Sequence, residues 1–373
     1  VLTDAARKLA VRAAEAADQI EAEQRLPLDL VDGMRDAGLF QMCFPPSLGG
    51  PAPDPVTMFE AVEHLARADA SVGWCSMVAS TTCYMVGWLD PAVAVELFGS
   101  PPDARVSGST RPLGTATPVA GGYRVRGRWD FISGVRHANY VGLACTLEPA
   151  ADPPTRVVFV PVEQIEVVPT WDVIGMRGTG SHDVVLHDVF VPEERTVYPI
   201  GPARDPSPLY DPRLLRVVTH APVAAVVLGL AQAMVDGLLD VAGRRTTLNP
   251  VALRDRQDVQ RATAEAVGRI EAARAFVTSA VDHAWRTVVE GTGDPSLPVA
   301  TTRLAFFHAA REAVVASDAL YAAAGTLGVR RENPLERRLR DLAVARHFPA
   351  FDEAVLRNAG RVLHGLAPEG TGW

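Results

Sequence analysis

The stretch "TATPVAGGYRVRGRWDFISGVRHANY", residues 115–140, decides how the chain is read. On both sides of Gly121-Gly122 apolar and polar residues alternate with period two, the spacing of a half-buried strand. Two such arms joined by a glycine pair make a β-hairpin. The second arm ends unusually: Trp129 and Phe131 keep the alternation, Ser133-Gly134 break it, and His137 and Asn139 follow. By themselves these residues read as an ordinary hairpin end with one aromatic in the core.

Outward from the hairpin, "TRVVFVPV" (155–162) and "HDVVLHDVFVP" (182–192) are further strands, punctuated by Pro161 and Pro192. They predict a central antiparallel β-domain over 99–205. Residues 1–98 read as helices. "LPLDLVDGMRDAGLF" has helical spacing and stops at Gly38, a C-terminal glycine cap. Asp54 and Pro55 open a helix that places Val56, Phe59, Val62 and Leu65 or Ala66 on one side, and an apolar helix pair follows over Ser71–Phe98. From 206 to 373 the helical period returns, with helices expected over 213–243, 253–290, 299–327, 335–347 and 349–365. The fold class is α+β, mostly α: an N-terminal helical domain, a central β-domain and a C-terminal helical bundle.

A formal net charge of -8 over 373 residues argues against a nucleic-acid or anionic-membrane binder, which needs a basic face. Lys8 is the only lysine. The four cysteines, 43, 75, 83 and 145, match no zinc or redox spacing and read as buried free thiols of a reducing compartment, so a cytoplasmic location is expected. The charged amphipathic start carries no apolar signal-peptide core. The apolar run 221–239 is interrupted by Pro222, Gln232 and Asp236 and reads as a buried bundle helix, not a membrane span. No H-E-x-x-H or clustered carboxylate pair is present, so no metal is expected, and no dinucleotide fingerprint appears.

Four local motifs in this order resemble the acyl-CoA dehydrogenase superfamily: "FIS" (131–133), "WDVIGMRGTGSHDVVLHDVFVPEER" (171–195), "AGRRTTLNPVALRDRQDVQ" (242–260) and "PLERRLRDL" (334–342). Two features resemble the superfamily's two-component (group D) flavin monooxygenase branch, "SGVRHANY" (133–140) and "RDLAVARHF" (340–348). The resemblance implies an oxygenase that takes reduced flavin, FMNH2 or FADH2, from a separate NAD(P)H:flavin reductase. With O2 it forms a C4a-hydroperoxyflavin and oxygenates a small aromatic or amine-bearing molecule. It also implies a homotetramer. An FAD-containing acyl-CoA dehydrogenase and a non-catalytic scaffold with this fold are the alternatives.

By the same resemblance Phe131, Ser133 and Gly134 meet the flavin ring and its N5 edge, Arg177, Thr179 and Ser181 lie near it, and Arg244 reaches a phosphate. Ser133 and His347 are the catalytic candidates, His347 as a base over the flavin, because an imidazole titrates near operating pH. Trp74, Thr81, Thr82, Cys83 and His137 are expected around the substrate pocket. Many aromatic hydroxylases of this branch carry a second histidine near 73–88; this chain has none there. His182 and His187 are expected at the surface, opposite an inward Val185. Arg337, Arg340 and Asp341 also read as structural ion pairs. "PEGT" (368–371) superficially resembles the dehydrogenase glutamate motif.

Overall fold

The computed structural model describes residues 1–199, 201–245 and 250–369. In chain order the first helices are α1 (Leu2–Glu15), α2 (Ala17–Glu23), α3 (Leu28–Asp36), α4 (Pro55–Ala68), α5 (Ala70–Cys83) and α6 (Pro91–Phe98). The chain forms two compact units, one of residues 1–54, 74–172 and 177–215, the other of 55–73, 173–176 and 216 onward. These do not follow the three zones of the sequence: α4 and the start of α5 join the C-terminal helices, and the other N-terminal helices join the sheet.

In the first unit α3 ends where expected. Gly38 takes φ +73°, its N–H donates to the Arg35 carbonyl, and the Leu39 N–H donates to Met34. Those bonds satisfy carbonyls that the helix itself leaves open. The sheet has seven strands: β1 (Val106–Val119), β2 (Gly122–Ile132), β3 (Tyr140–Leu147), β4 (Thr155–Pro161), β5 (Glu166–Val168), β6 (His182–Pro192) and β7 (Thr196–Val197). Their order is β5-β6-β2-β1-β3-β4-β7. The Gly121-Gly122 hairpin forms, with Val119 opposite Gly122.

The sheet is mixed, not wholly antiparallel as expected: β3 runs parallel to β1, with Val106 opposite Tyr140. Residues 133–139 carry the chain over the end of β1 instead of folding it straight back beside β2. Asn139 secures that crossing, donating its backbone N–H to the Arg105 carbonyl and accepting the Arg105 N–H on its side chain, both at 3.0 Å.

Gly114 and Gly127 face each other across β1 and β2. A Cβ on Gly114 would lie 2.0 Å from the Trp129 ring, so the missing side chain makes the slot for that indole. Trp129 is fully buried and donates its Nε1–H to the Ala144 carbonyl at 2.8 Å. Val125, Ile132, Leu143, Val158, Val184 and Leu186 complete this core.

The second unit holds α7 (Leu215–Asp240), α8 (Gln257–Val289), α9 (Ser296–Ala324), α10 (Pro334–Ala345) and α11 (Ala354–Leu363), each within a few residues of its expected span. The apolar helix around α7 is long enough to cross a membrane by length and composition, and 83% of its most apolar window is buried, as in a core helix. The long helices α8 and α9 pack along each other, and both bury small residues, among them Ala273, Ala280, Ala305 and Ala309. Two ion pairs tie α4 into this bundle: Arg274 to Glu63 at 2.8 Å and Arg67 bidentate to Asp236 at 2.6 and 2.9 Å.

The motif "PLERRLRDL" forms most of α10 and acts as an anchor for residues 173–176. Asp341 is buried and accepts the Met176 N–H at 2.5 Å, while Arg340 pairs with Glu336 at 2.7 Å and donates to the Ile174 carbonyl. A Cβ on Gly175 would lie 2.2 Å from the Arg340 carbonyl oxygen, so only glycine allows this approach. Burial, reinforced by Asp69, raises the Asp341 carboxyl to about 7. Asp69, Asp341, Arg337 and Arg338 line a cavity of about 10 Å³, room for one water.

Candidate active site

Pairing of β2 with β6 builds the site. Ile132 stands opposite His182, so the next residues along, Ser133 and Ser181, meet just beyond the strand ends. Their hydroxyl oxygens are 2.7 Å apart, and Ser181 Oγ is 2.7 Å from Thr179 Oγ1. The Gly134 N–H donates to the Thr179 carbonyl at 2.8 Å, in a turn where Gly134 takes φ +76°. From α5, Trp74 donates its Nε1–H to Ser133 Oγ at 3.1 Å. Ser107 on β1 donates to the Ser133 carbonyl at 2.7 Å. Ser133, Thr179 and Ser181 are all buried. Five residues singled out in the sequence, Trp74, Ser133, Gly134, Thr179 and Ser181, thus come together.

Phe131 lies beside them in an uncommon conformation, φ +59° for a residue with a bulky side chain. The β2–β6 register shifts between Trp129 and Ile132, and the irregularity turns the Phe131 ring outward. The ring is 60% exposed, with Trp171 edge-on at 5.9 Å and the Arg111 guanidinium 5.7 Å from its centre. A large exposed aromatic in a strained backbone, next to buried hydroxyls, is a combination found where ligands bind.

Other candidates fall elsewhere. Cys83 is fully buried in a separate apolar core and points its thiol at the Phe40 and Ala104 carbonyls. Thr81 and Thr82 bond back to helix carbonyls, to Met77 at 2.9 Å and Val78 at 2.8 Å respectively. Thr82 is buried against Gly108 and Gly142 of the sheet, where its methyl fills the space the glycines leave. His137 is neither exposed nor at a surface: its ring stacks on Phe40 at 5.6 Å, and its Nδ1 is buried without a partner. Burial, then the nearby Arg105 cation, lowers its pKa to about 4, which keeps it neutral.

His182 is a correction. It is buried, in phase with Val184 and Leu186, because those two and not Val185 face the core. A one-residue error in strand phase moves every side chain to the opposite face. Its Nδ1 accepts the Trp171 N–H at 3.2 Å, which ties the aromatic neighbour of Phe131 to β6. His187 is exposed, as expected, and pairs with Glu166.

Arg177 is half-buried and 3.9 Å from Asp172. Arg244 is exposed beyond α7, and part of its motif, residues 246–249, lies outside the described residues. His347 follows the end of α10 with an exposed side chain; its assignment as base is carried by the motif alone. In "PEGT" residues 370 and 371 are outside the described residues, and Glu369 pairs with Arg361 at 2.8 Å. The four cysteines are buried and form no disulfide, and burial pushes the Cys43 and Cys145 thiols up to about 12. Among the described residues no three His, Cys, Asp or Glu side chains gather as a metal site requires.

Sequence reasoning missed Ser107, Trp171 and His182. The alternation Val184-x-Leu186 was the signal for His182; Ser107 and Trp171 carry none, since their roles come from distant backbone pairing.

Known proteins give the same architecture. The acyl-CoA dehydrogenase N-terminal domain matches residues 1–89 and the acyl-CoA dehydrogenase C-terminal domain residues 221–353. Indole-3-acetate monooxygenase of Pseudomonas putida is 31% identical, covering 94% of this chain and 90% of that protein. The flavin-dependent monooxygenase oxygenase subunit HsaA of Mycobacterium tuberculosis is 28% identical, covering 90% of this chain and 88% of that protein. Its crystal structure superposes with a TM-score of 0.90 at 27% identity, covering 100% and 99% of the two chains. XiaF from Streptomyces sp., solved with FADH2 and glycerol, superposes with a TM-score of 0.87 at 25% identity, covering 100% and 97%. The chain belongs to the acyl-CoA dehydrogenase superfamily, within its flavin-dependent monooxygenases.

Proposed function

We propose that this protein is the oxygenase component of a two-component system that oxygenates a small aromatic molecule, with reduced flavin delivered by a separate NAD(P)H:flavin reductase. The observation that carries the reading is the hydroxyl cluster of Ser133, Ser181 and Thr179 under the Trp74 donor, beside the outward ring of Phe131. This set fits a flavin: an aromatic face for the ring, and hydroxyls able to donate or accept at its polar edge. A bound reduced flavin supplies the two electrons that activate O2.

In this reading Ser133 holds the N5 edge, Gly134 lets the backbone come close, Phe131 stacks on the ring, and Arg177 and Arg244 serve its polar and phosphate parts. Arginine suits phosphate through its bidentate fork. His347 is the base that removes a substrate proton. His137 stays neutral and buried behind the site and takes no proton there. The alternatives, dehydrogenase and scaffold, are not favoured, since the named relatives are monooxygenases and Glu369 is already paired. Four buried cysteines without a disulfide accord with work in the cytoplasm, and a homotetramer is part of the same proposal.

The test is turnover with a flavin reductase, NADH, either flavin, ¹⁸O2 and a panel of phenols, indoles and amines, read by mass spectrometry. One labelled oxygen in a product supports the reading. Quantitative release of hydrogen peroxide with every substrate, and no labelled product, overturns it.

A further inference from the structure

We infer that Thr179, Ser181 and Ser133 form a hydroxyl chain whose direction reverses with the redox state of the flavin, with Trp74 as the fixed donor that forces the reversal. The inference rests on the reading that Ser133 meets the flavin N5 edge.

A hydroxyl has one hydrogen to give and two places to accept. Trp74 can only donate, so its Nε1–H at 3.1 Å permanently takes one acceptor position of Ser133. One hydrogen and one acceptor position remain, for two neighbours: Ser181 on one side, at 2.7 Å, and the ligand edge on the other. Whichever neighbour Ser133 donates to, it must accept from the other. Ser107 does not compete, because its hydroxyl bonds the Ser133 carbonyl.

A reduced flavin carries a hydrogen on N5 and an oxidised one does not. Facing the N5–H donor, Ser133 accepts from it and sends its own hydrogen to Ser181, which sends its hydrogen to Thr179. Facing a bare N5, Ser133 donates outward and the chain runs Thr179 to Ser181 to Ser133. Both links are 2.7 Å, short enough for either polarity, and no heavy atom has to move. The hydrogens that turn are those of Ser133 and Ser181, with Thr179 as the group at the far end of the chain. Without the indole donor, Ser133 would have a spare acceptor position and no reason to couple the two sides.

The chain makes Ser181 a positioning residue with an asymmetric signature. Without its hydroxyl, a Ser133 facing reduced flavin has a buried hydrogen with no acceptor. Facing oxidised flavin it has lost only one accepted bond. A buried unsatisfied donor is the more costly of the two. Ser181→Ala is therefore expected to weaken binding of reduced flavin by about tenfold and of oxidised flavin by no more than about twofold.

The experiment measures affinities of the full-length protein for FMN and FAD, oxidised by fluorescence titration and reduced under anaerobic conditions. The variants are Ser181→Ala, Ser181→Thr and Ser133→Ala. A selective loss for reduced flavin in Ser181→Ala, restored by Ser181→Thr, supports the chain. Equal losses for both redox forms, no loss, or a selective loss that threonine fails to restore overturns it and leaves the Ser133 contact standing. Unchanged affinities in Ser133→Ala remove that contact, and the flavin-edge reading with it.

Discussion

The indole nitrogen of Trp74, on α5, donates a hydrogen bond to the hydroxyl of Ser133, at the end of β2, over 3.1 Å. The bond joins a helix to a strand 59 positions away in sequence. In ¹⁵N-labelled flavin-free protein, Ser133→Ala should shift one of the six indole N–H signals. Trp74→Phe identifies that signal by removing it. An unmoved Trp74 signal in Ser133→Ala would show the bond is not made.

His347 is exposed, so His347→Ala should leave stability within about 0.5 kcal/mol of the parent. If the imidazole is the base, product formation falls at least tenfold while the affinity for reduced flavin stays the same. Parallel losses in both would take the residue out of that role.

Burial holds His137 at about 4, below the 6.5 of an unfolded histidine. The unfolded chain then binds the extra proton first, so stability is full above pH 6.5 and is lost as pH falls from 6.5 toward 4, by roughly 3 kcal/mol in all. Thermal melts of His137→Gln across this range should show a shallower acid decline. An identical slope would mean the imidazole titrates normally in the fold.

Asp341 has the opposite sign. Its folded value of about 7 lies above the unfolded 3.8, so its contribution is present at low pH and declines as pH rises from about 4 to 7. Asparagine keeps an oxygen for the Met176 N–H and carries no charge. Asp341→Asn should melt higher than the parent at pH 8 and no higher at pH 4. The reverse order would contradict the buried-acid account.

Gly114→Ala puts a methyl into the Trp129 slot, 2.0 Å from the ring. Denaturant unfolding should show a loss of about 1–3 kcal/mol. The loss should shrink when Trp129 is also cut back to leucine, since the clash is then gone. Additive losses would place the strain elsewhere.

Much of this was legible in local sequence. Helix ends at Gly38 and Pro55, the hairpin at Gly121-Gly122 and the long C-terminal helices follow from caps, turns and periods that act over a few residues. The hydroxyl set of Ser133, Ser181 and Thr179 was visible only as separate motifs. Nothing local says that Ser133 meets Ser181, 48 residues on, or that Thr82 and Cys83 turn into the core while Trp74 turns to Ser133.

What the sequence determined by itself is the order of helix, sheet and helix, and the residue types available to a site, because periodicity and capping are properties of neighbours in the chain. What tertiary structure decided is which of those residues meet. The parallel placement of β3 and the phase of β6 depend on which face finds the core, and that choice is made only when strands far apart in sequence pair.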